Sequence, residues 1–159
     1  MTTPVDDDLT GSAGQPAIEF VILAERVEIL NGKLYMMGGG FDSLFLERPP
    51  PQTMSVTFAV GLLVPFEACG REHHLQFAVI DGAGSAVASS EQLVLNIGRP
   101  PSLCQGERQR VMLAPLGGPV TFPSYGTYLL RVTLNGAVHK AVALSVLPRE
   151  DASGGRAGI

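Results

Sequence analysis

The sequence predicts an all-β chain folded as a two-sheet antiparallel sandwich, and three observations predict it. The 159 residues fall into short apolar runs separated by Gly, Pro and Asn, with no amphipathic stretch at helical spacing. Within Met54–Val64, the residues Met54, Val56, Phe58, Val60, Leu62 and Val64 alternate with Ser55, Thr57, Ala59 and Gly61, which marks one buried face at a period of two. Two Asn-Gly pairs, at 31–32 and 135–136, stand between apolar runs, and this dipeptide is the strongest short-range hairpin signal.

The length fits one domain with a few residues to spare. Residues 1–16, with Asp6, Asp7 and Asp8, and residues 149–159 have no apolar period, so burial cannot offset their ordering entropy. They read as disordered tails around a sandwich domain at 17–148. Eleven Lys and Arg against fifteen Asp and Glu give a net charge of -4, and so no general field to attract phosphate backbones or anionic lipid. Nucleic-acid and membrane partners are not expected. The start lacks a basic, then apolar, export signal, and the run Ala17–Ala24 is interrupted by Glu19 and far shorter than the roughly 20 residues that span a bilayer. The expectation is a cytoplasmic chain whose Cys69 and Cys104 stay reduced.

Strands are expected near Ile18–Glu28, Lys33–Met37, Phe41–Leu46, Met54–Val64, Leu75–Val79, Ala86–Ser90, Leu93–Ile97 and Gln109–Ala114. Arg48–Pro51 and Gly98–Pro101 serve as connections, because proline breaks a central ladder. Asp81-Gly82-Ala83-Gly84 reads as the turn of a hairpin. At Asn31-Gly32 a two-residue turn sets Ile29 opposite Leu34 and Val27 opposite Met36, apolar against apolar. At Asn135-Gly136 the same turn would set Val132 opposite His139 and Tyr128 opposite Ala143. A three-residue loop of Leu134, Asn135 and Gly136 instead pairs Val132 with Val138 and Tyr128 with Val142, and this bulged turn is the preferred reading, with Lys140 turned inward.

In Gly126-Thr-Tyr128-Leu-Leu130, a tyrosine opens a strand two places before a buried position. This resembles the tyrosine corner of immunoglobulin-like sandwiches, although there is no tryptophan and no cysteine at the position of Leu130. The resemblance concerns the immunoglobulin-like architecture alone. The segment from Ala24 through Val27-Glu-Ile-Leu-Asn31-Gly-Lys-Leu-Tyr-Met-Met-Gly38 to Asp42, together with Gly126-Thr-Tyr128, also resembles a small uncharacterised bacterial family of β-sandwich proteins, for which no activity is implied.

Few side chains suggest chemistry. Gly38-Gly39-Gly40 could cradle an anion if a helix followed, but a strand is expected next, so the run reads as a bend carrying the chain between sheets. Gly38, Gly39, Gly40 and Asp42 are the candidate ligand-binding residues. His73 and His74 point to opposite faces of a strand, and a metal site would need Cys69, Cys104 and a histidine to converge from separate loops, so no metal and no cofactor is expected. There is no Gly-x-Ser-x-Gly elbow and no paired carboxylate, which argues against an enzyme. Arg99, Arg108, Arg110 and Tyr125 are the candidate partner-binding residues. The expected function is a non-enzymatic protein-interaction or structural module that binds a protein partner or itself. The alternative is a small-ligand-binding sandwich with its site near the Gly38–Gly40 bend.

Overall fold

The structure, a computed structural model, describes residues 14–115 and 118–149; the rest of the two expected tails lies outside this range. The described chain is all-β, with thirteen strands, one 3-10 turn at Phe66–Ala68 and no α-helix. One layer contains β1 (Ala17–Leu23), β6 (Phe58–Pro65) and β10 (Arg108–Leu113), paired in the order β1-β6-β10. Upstream of β6, β5 (Gln52–Ser55) pairs with β11 (Pro119–Phe122), which follows β10. β5 and β11 thus form a two-stranded sheet of their own.

The second layer is a six-stranded sheet. Its path runs from β4 (Ser43–Leu46) through β13 (Ala137–Pro148), β12 (Gly126–Leu134) and β7 (Glu72–Ile80) to β8 (Ala86–Ser89), and β9 (Leu93–Asn96) also pairs with β7. β4 runs parallel to β13, so the expected all-antiparallel arrangement fails at this edge. β2 (Arg26–Leu30) and β3 (Lys33–Met37) pair with each other alone.

The alternation in Met54–Val64 has the expected consequence, although the strand breaks at Val56-Thr57: Val56, Phe58, Val60, Leu62 and Val64 are all buried. They meet Leu75, Phe77 and Val79 of β7 and Leu130, Val132 and Leu134 of β12 in one apolar cluster. Phe58 and Phe77 make an edge-to-face contact across the layers, with centroids 4.7 Å apart. Each such aliphatic side chain contributes about 1.5–3 kcal/mol on burial, so the alternating positions are the dominant source of stability. Ile18–Glu28, read as one strand, divides at Ala24-Glu25, where the Ala24 N–H donates to the Thr57 carbonyl and the Glu25 N–H to that of Met37. β11 was not anticipated; four residues behind a Gly-Gly-Pro are too few to display a period, yet Val120 and Phe122 alternate inward.

The two Asn-Gly turns differ in outcome. Asn31 and Gly32 have φ of 51° and 71°, and Ile29 faces Leu34 while Val27 faces Met36, as the sequence predicts. At the second turn the preferred three-residue loop is wrong. Asn135 and Gly136 (φ 50° and 82°) form a two-residue turn, with Leu134 opposite Ala137 and Thr133 opposite Val138. The extra residue is absorbed further along, where His139 bulges out and Val132 pairs with Lys140, Leu130 with Val142 and Tyr128 with Leu144. Leu134 explains why: it is 1% exposed and also pairs with Leu75 of β7, so releasing it into a loop would empty a core position. Lys140 takes core-side parity, but its ammonium leaves the core and donates to the Glu19 carbonyl of β1 at 2.9 Å.

The outward face of the first layer is closed by an aromatic ring. Phe20 lies across Gly61, where an added Cβ would stand 2.3 Å from Phe20 Cε1. The glycine leaves room for the ring, and Ala59 beside it is fully buried. Gly61→Ala is expected to cost about 1–3 kcal/mol in urea unfolding by displacing the ring, with much of the loss recovered in a Phe20→Leu background. Equal losses in both backgrounds would show that the ring is not what the glycine accommodates.

Candidate functional site

The Gly38–Gly40 bend carries the chain out of the β2–β3 hairpin and into β4 of the other layer. Gly38 and Gly40 have φ of 58° and 85°, a region that favours glycine, and the Gly40 N–H donates to the Leu23 carbonyl at 2.8 Å. Side chains at Gly38 and Gly39 would collide with Glu25 and Met36, respectively. Gly38 borders an open groove of about 640 Å³ whose walls include Phe41, Leu44, Phe45 and Met54, with Glu25 and Arg149 as its charged members. Gly39, Gly40 and Asp42 are not in its lining. The Asp42 carboxylate accepts from Ser43 Oγ at 2.9 Å, while its carbonyl accepts from the Ser145 N–H at 2.7 Å, so this residue joins β4 to β13.

The arginines do not form one patch. The Arg99 guanidinium stacks 3.8 Å from the Phe66 ring centroid and donates to the Phe66 carbonyl at 3.1 Å, which ties the β9–β10 connection to the 3-10 turn. Arg108 opens β10 opposite Pro65, and Arg110 points outward two residues further on. Tyr125 precedes β12, at the opposite end of the fold from Arg99 and Arg108, because β12 reaches the start of β7 only at its far end, where Leu134 pairs with Leu75.

Arg110 belongs to a cluster that spacing along the chain did not reveal. Its guanidinium grips both Glu19 carboxylate oxygens at 2.5 Å. Glu19 is the residue by which β1 slips register against β6, between Ile18 and Phe20. The hydrogen bond from Arg110, with the positive charges of Arg110 and Lys140, lowers the Glu19 pKa from the ordinary value of 4.5, partly opposed by desolvation. The same bond raises that of Arg110. The lysine and arginine thus clamp the irregular point of β1 from two directions.

His73 is held in a structural network. Asn135 Oδ1 accepts from the His74 N–H at 2.9 Å, so its Nδ2 must donate to His73 Nδ1 at 3.2 Å. That leaves His73 Nε2 to carry the hydrogen, which it donates to the Ala68 carbonyl at 2.8 Å. His73 is buried and held as one neutral tautomer by the tip of the β12–β13 hairpin. Cys69 is a buried thiol that accepts from Gln109 Nε2 at 3.1 Å, and Cys104 is an exposed one in a separate turn. Among the described residues no group of three His, Cys, Asp or Glu converges as metal ligands, and no helix is long and apolar enough to cross a membrane. Asp81, a lone acid in the sequence, accepts from the N–H groups of Ala83 and Ser85 with its Oδ1 and holds its turn.

The feature that sequence reasoning undervalued is the β2–β3 hairpin. Its cross-strand pairs were read correctly, and on the face they share Val27, Ile29 and Leu34 are half-buried. Leu30, Tyr35 and Met37, which share the opposite face with Arg26, Glu28 and Lys33, are 52–67% exposed, and both outer edges of this two-stranded ribbon lack a neighbouring strand among the described residues. Below its root lie the groove and β4, itself an edge strand. The neighbourhood therefore combines unpaired backbone with accessible apolar side chains.

The Glu19–Arg110 pair yields a pH prediction. Glu19 has a lower pKa folded than unfolded, so its contribution is present above the unfolded value near 4.5 and fades as pH falls through the folded value. Glu19→Gln is expected to melt below the parent at pH 7, with the gap narrowing below pH 4.5 and closing in stronger acid. A gap that is constant across the acid limb would mean that the pair contributes nothing through charge.

Compared with known proteins, the chain matches no curated protein. Residues 19–147, which run from the bulge of β1 almost to the end of β13, match the model of a family of unknown function, DUF6941, and the chain belongs to that family.

Proposed function

We propose that this chain is an immunoglobulin-like sandwich that acts as a non-enzymatic protein-interaction module, with the β2–β3 hairpin as its docking element. The single observation that carries the reading is the exposure of Leu30, Tyr35 and Met37 on a ribbon with two open edges. An isolated two-stranded hairpin is marginal in water, so one that keeps apolar side chains exposed gains most when a partner strand or apolar surface covers it.

The immunoglobulin-like part of the reading draws on Tyr128. This residue is 1% exposed, lies edge-to-face against Phe122 of the other layer and donates from its hydroxyl to the Ser124 carbonyl at 2.8 Å. The division of the early chain supports it as well, with β1 in one layer and β4 in the other, alongside β13. The non-enzymatic part draws on the roles of the reactive side chains: His73, Asp81 and Cys69 are each committed to holding backbone or a turn.

A photo-crosslinking residue placed at Tyr35 or Met37 in the native cell is expected to give a discrete adduct with another protein, whereas the same residue at Tyr125 gives none. Adducts from Tyr125 alone, or no adduct from the hairpin, would overturn the assignment.

A further inference from the structure

The core itself lines a cavity of about 250 Å³ at the margin where β8 lies alongside the β5–β11 pair. Its inner wall is made by Val56, Phe58, Phe77, Val79, Val120 and Leu130, each only 2–6% exposed. Its exposed members, Ser89, Gly118 and Pro119, mark the mouth. The sequence accounts for the space. β7 and β12 send Phe77, Val79 and Leu130 to the core, whereas β8 sends Ala88, which shares a face with Val79, and the chain after it places Ser90 beside Phe77. Gly118, at the start of the strand facing them, has no side chain to fill the gap. Small side chains on both sides of one margin thus leave the large ones behind them uncovered.

We infer that this cavity is a binding site for a small uncharged aromatic molecule. Its size sets the scale: an apolar cavity of about 150 Å³ takes up benzene, so this one suits a ligand of about ten non-hydrogen atoms. Among the described residues no charged side chain lines it, and an ion would lose its hydration there with no opposite charge in return. Nor does the wall call for a hydrogen bond. The Ser90 hydroxyl is committed, donating to the Glu91 carbonyl at 2.8 Å and accepting from the Phe77 N–H at 3.0 Å. Phe58 and Phe77 already meet edge-to-face with centroids 4.7 Å apart, and a third ring extends that arrangement where a flexible chain would not. A strand of another protein is excluded from the gap, because Cα atoms of β8 and β11 come within 8 Å of each other, closer than the roughly 9.6 Å of two strand spacings. The cavity shares no residue with the β2–β3 hairpin or with the groove beside Gly38, so this reading and the docking reading stand or fall independently.

The test is a titration of the full chain with naphthalene, followed by methyl NMR. Saturable shifts are expected at Val79, Val120 and Leu130 and none at Val64 and Leu75 at the other end of the core, with a dissociation constant of about 100 µM or tighter. Ala88→Leu places a side chain in the space and is expected to weaken binding about 10-fold or more while the circular-dichroism melt stays cooperative. Ala88→Val, which suits a strand, should weaken it about 3-fold and decides the matter if the leucine variant does not fold. Phe45→Ser, in the groove beside Gly38, should leave binding unchanged. Naphthalene-2-carboxylate and 1-decanol should each bind about 10-fold more weakly or worse, the first for its charge and the second for the chain freedom it loses. The inference is overturned if the parent shows no saturable shift up to the solubility limit of naphthalene, if the shifts spread to Val64 and Leu75, or if a folded Ala88 variant binds as the parent does. Carboxylate or decanol binding as tightly as naphthalene would overturn the uncharged aromatic class.

Discussion

Everything in the larger sheet depends on β12 and β13 delivering alternate side chains to one core at the same time. Leu130, Val132 and Leu134 come from one strand and Leu144 and Val146 from the other, and all five are essentially inaccessible. Because side-chain direction repeats every two residues, a slip of one would turn a whole strand's apolar set to water. The turn cannot absorb the mismatch, since Asn135 is bonded to both His73 and His74 and Leu134 is committed to the core. The odd residue is therefore expelled at His139, the first point at which neither constraint applies. Beyond that bulge the ladder holds to Gly126, which places Tyr128 against Phe122 and ties the two layers together at the far end.

The same economy explains the irregularity of β1. Its slip at Glu19 leaves a carboxylate and a carbonyl that must be satisfied, and they are met by Arg110 from its own layer and Lys140 from the other. Lys140, which the alternation sends inward, reaches that carbonyl by spending its methylene stem along the layer margin and keeping its ammonium out of the core. Two bulges in different layers are thus joined by one side chain.

Much of this was legible in the sequence wherever one strand carries its own evidence. The alternation in Met54–Val64 identified the core even though the strand is broken, and Asn31-Gly32 specified its register because both candidate pairs were apolar. Tyr128, singled out by its position, is buried and bonded back to the Ser124 carbonyl. What failed needed knowledge of the third strand. The three-residue loop at Asn135 was reasonable for an isolated hairpin and is wrong because β7 lies alongside and claims Leu134. The arginines look like one cluster in sequence, but Arg99 answers to Phe66 and Arg110 to Glu19, residues some thirty and ninety positions away. Apolar pairing in β2–β3 could not reveal that Leu30, Tyr35 and Met37 on the opposite face stay exposed, because periodicity reports which residues share a face and not what that face meets.

The core, and not the turn, sets the register of β13, and the decisive measurement is the stability of a variant lacking His139. Removing a residue from the middle of a central strand ordinarily reverses every side chain beyond it. Here the expected outcome is a regular ladder in which Thr133 still faces Val138 and Val132 still faces Lys140, with urea stability within about 1 kcal/mol of the parent. Loss of the cooperative transition, or a fall of several kcal/mol, would contradict it.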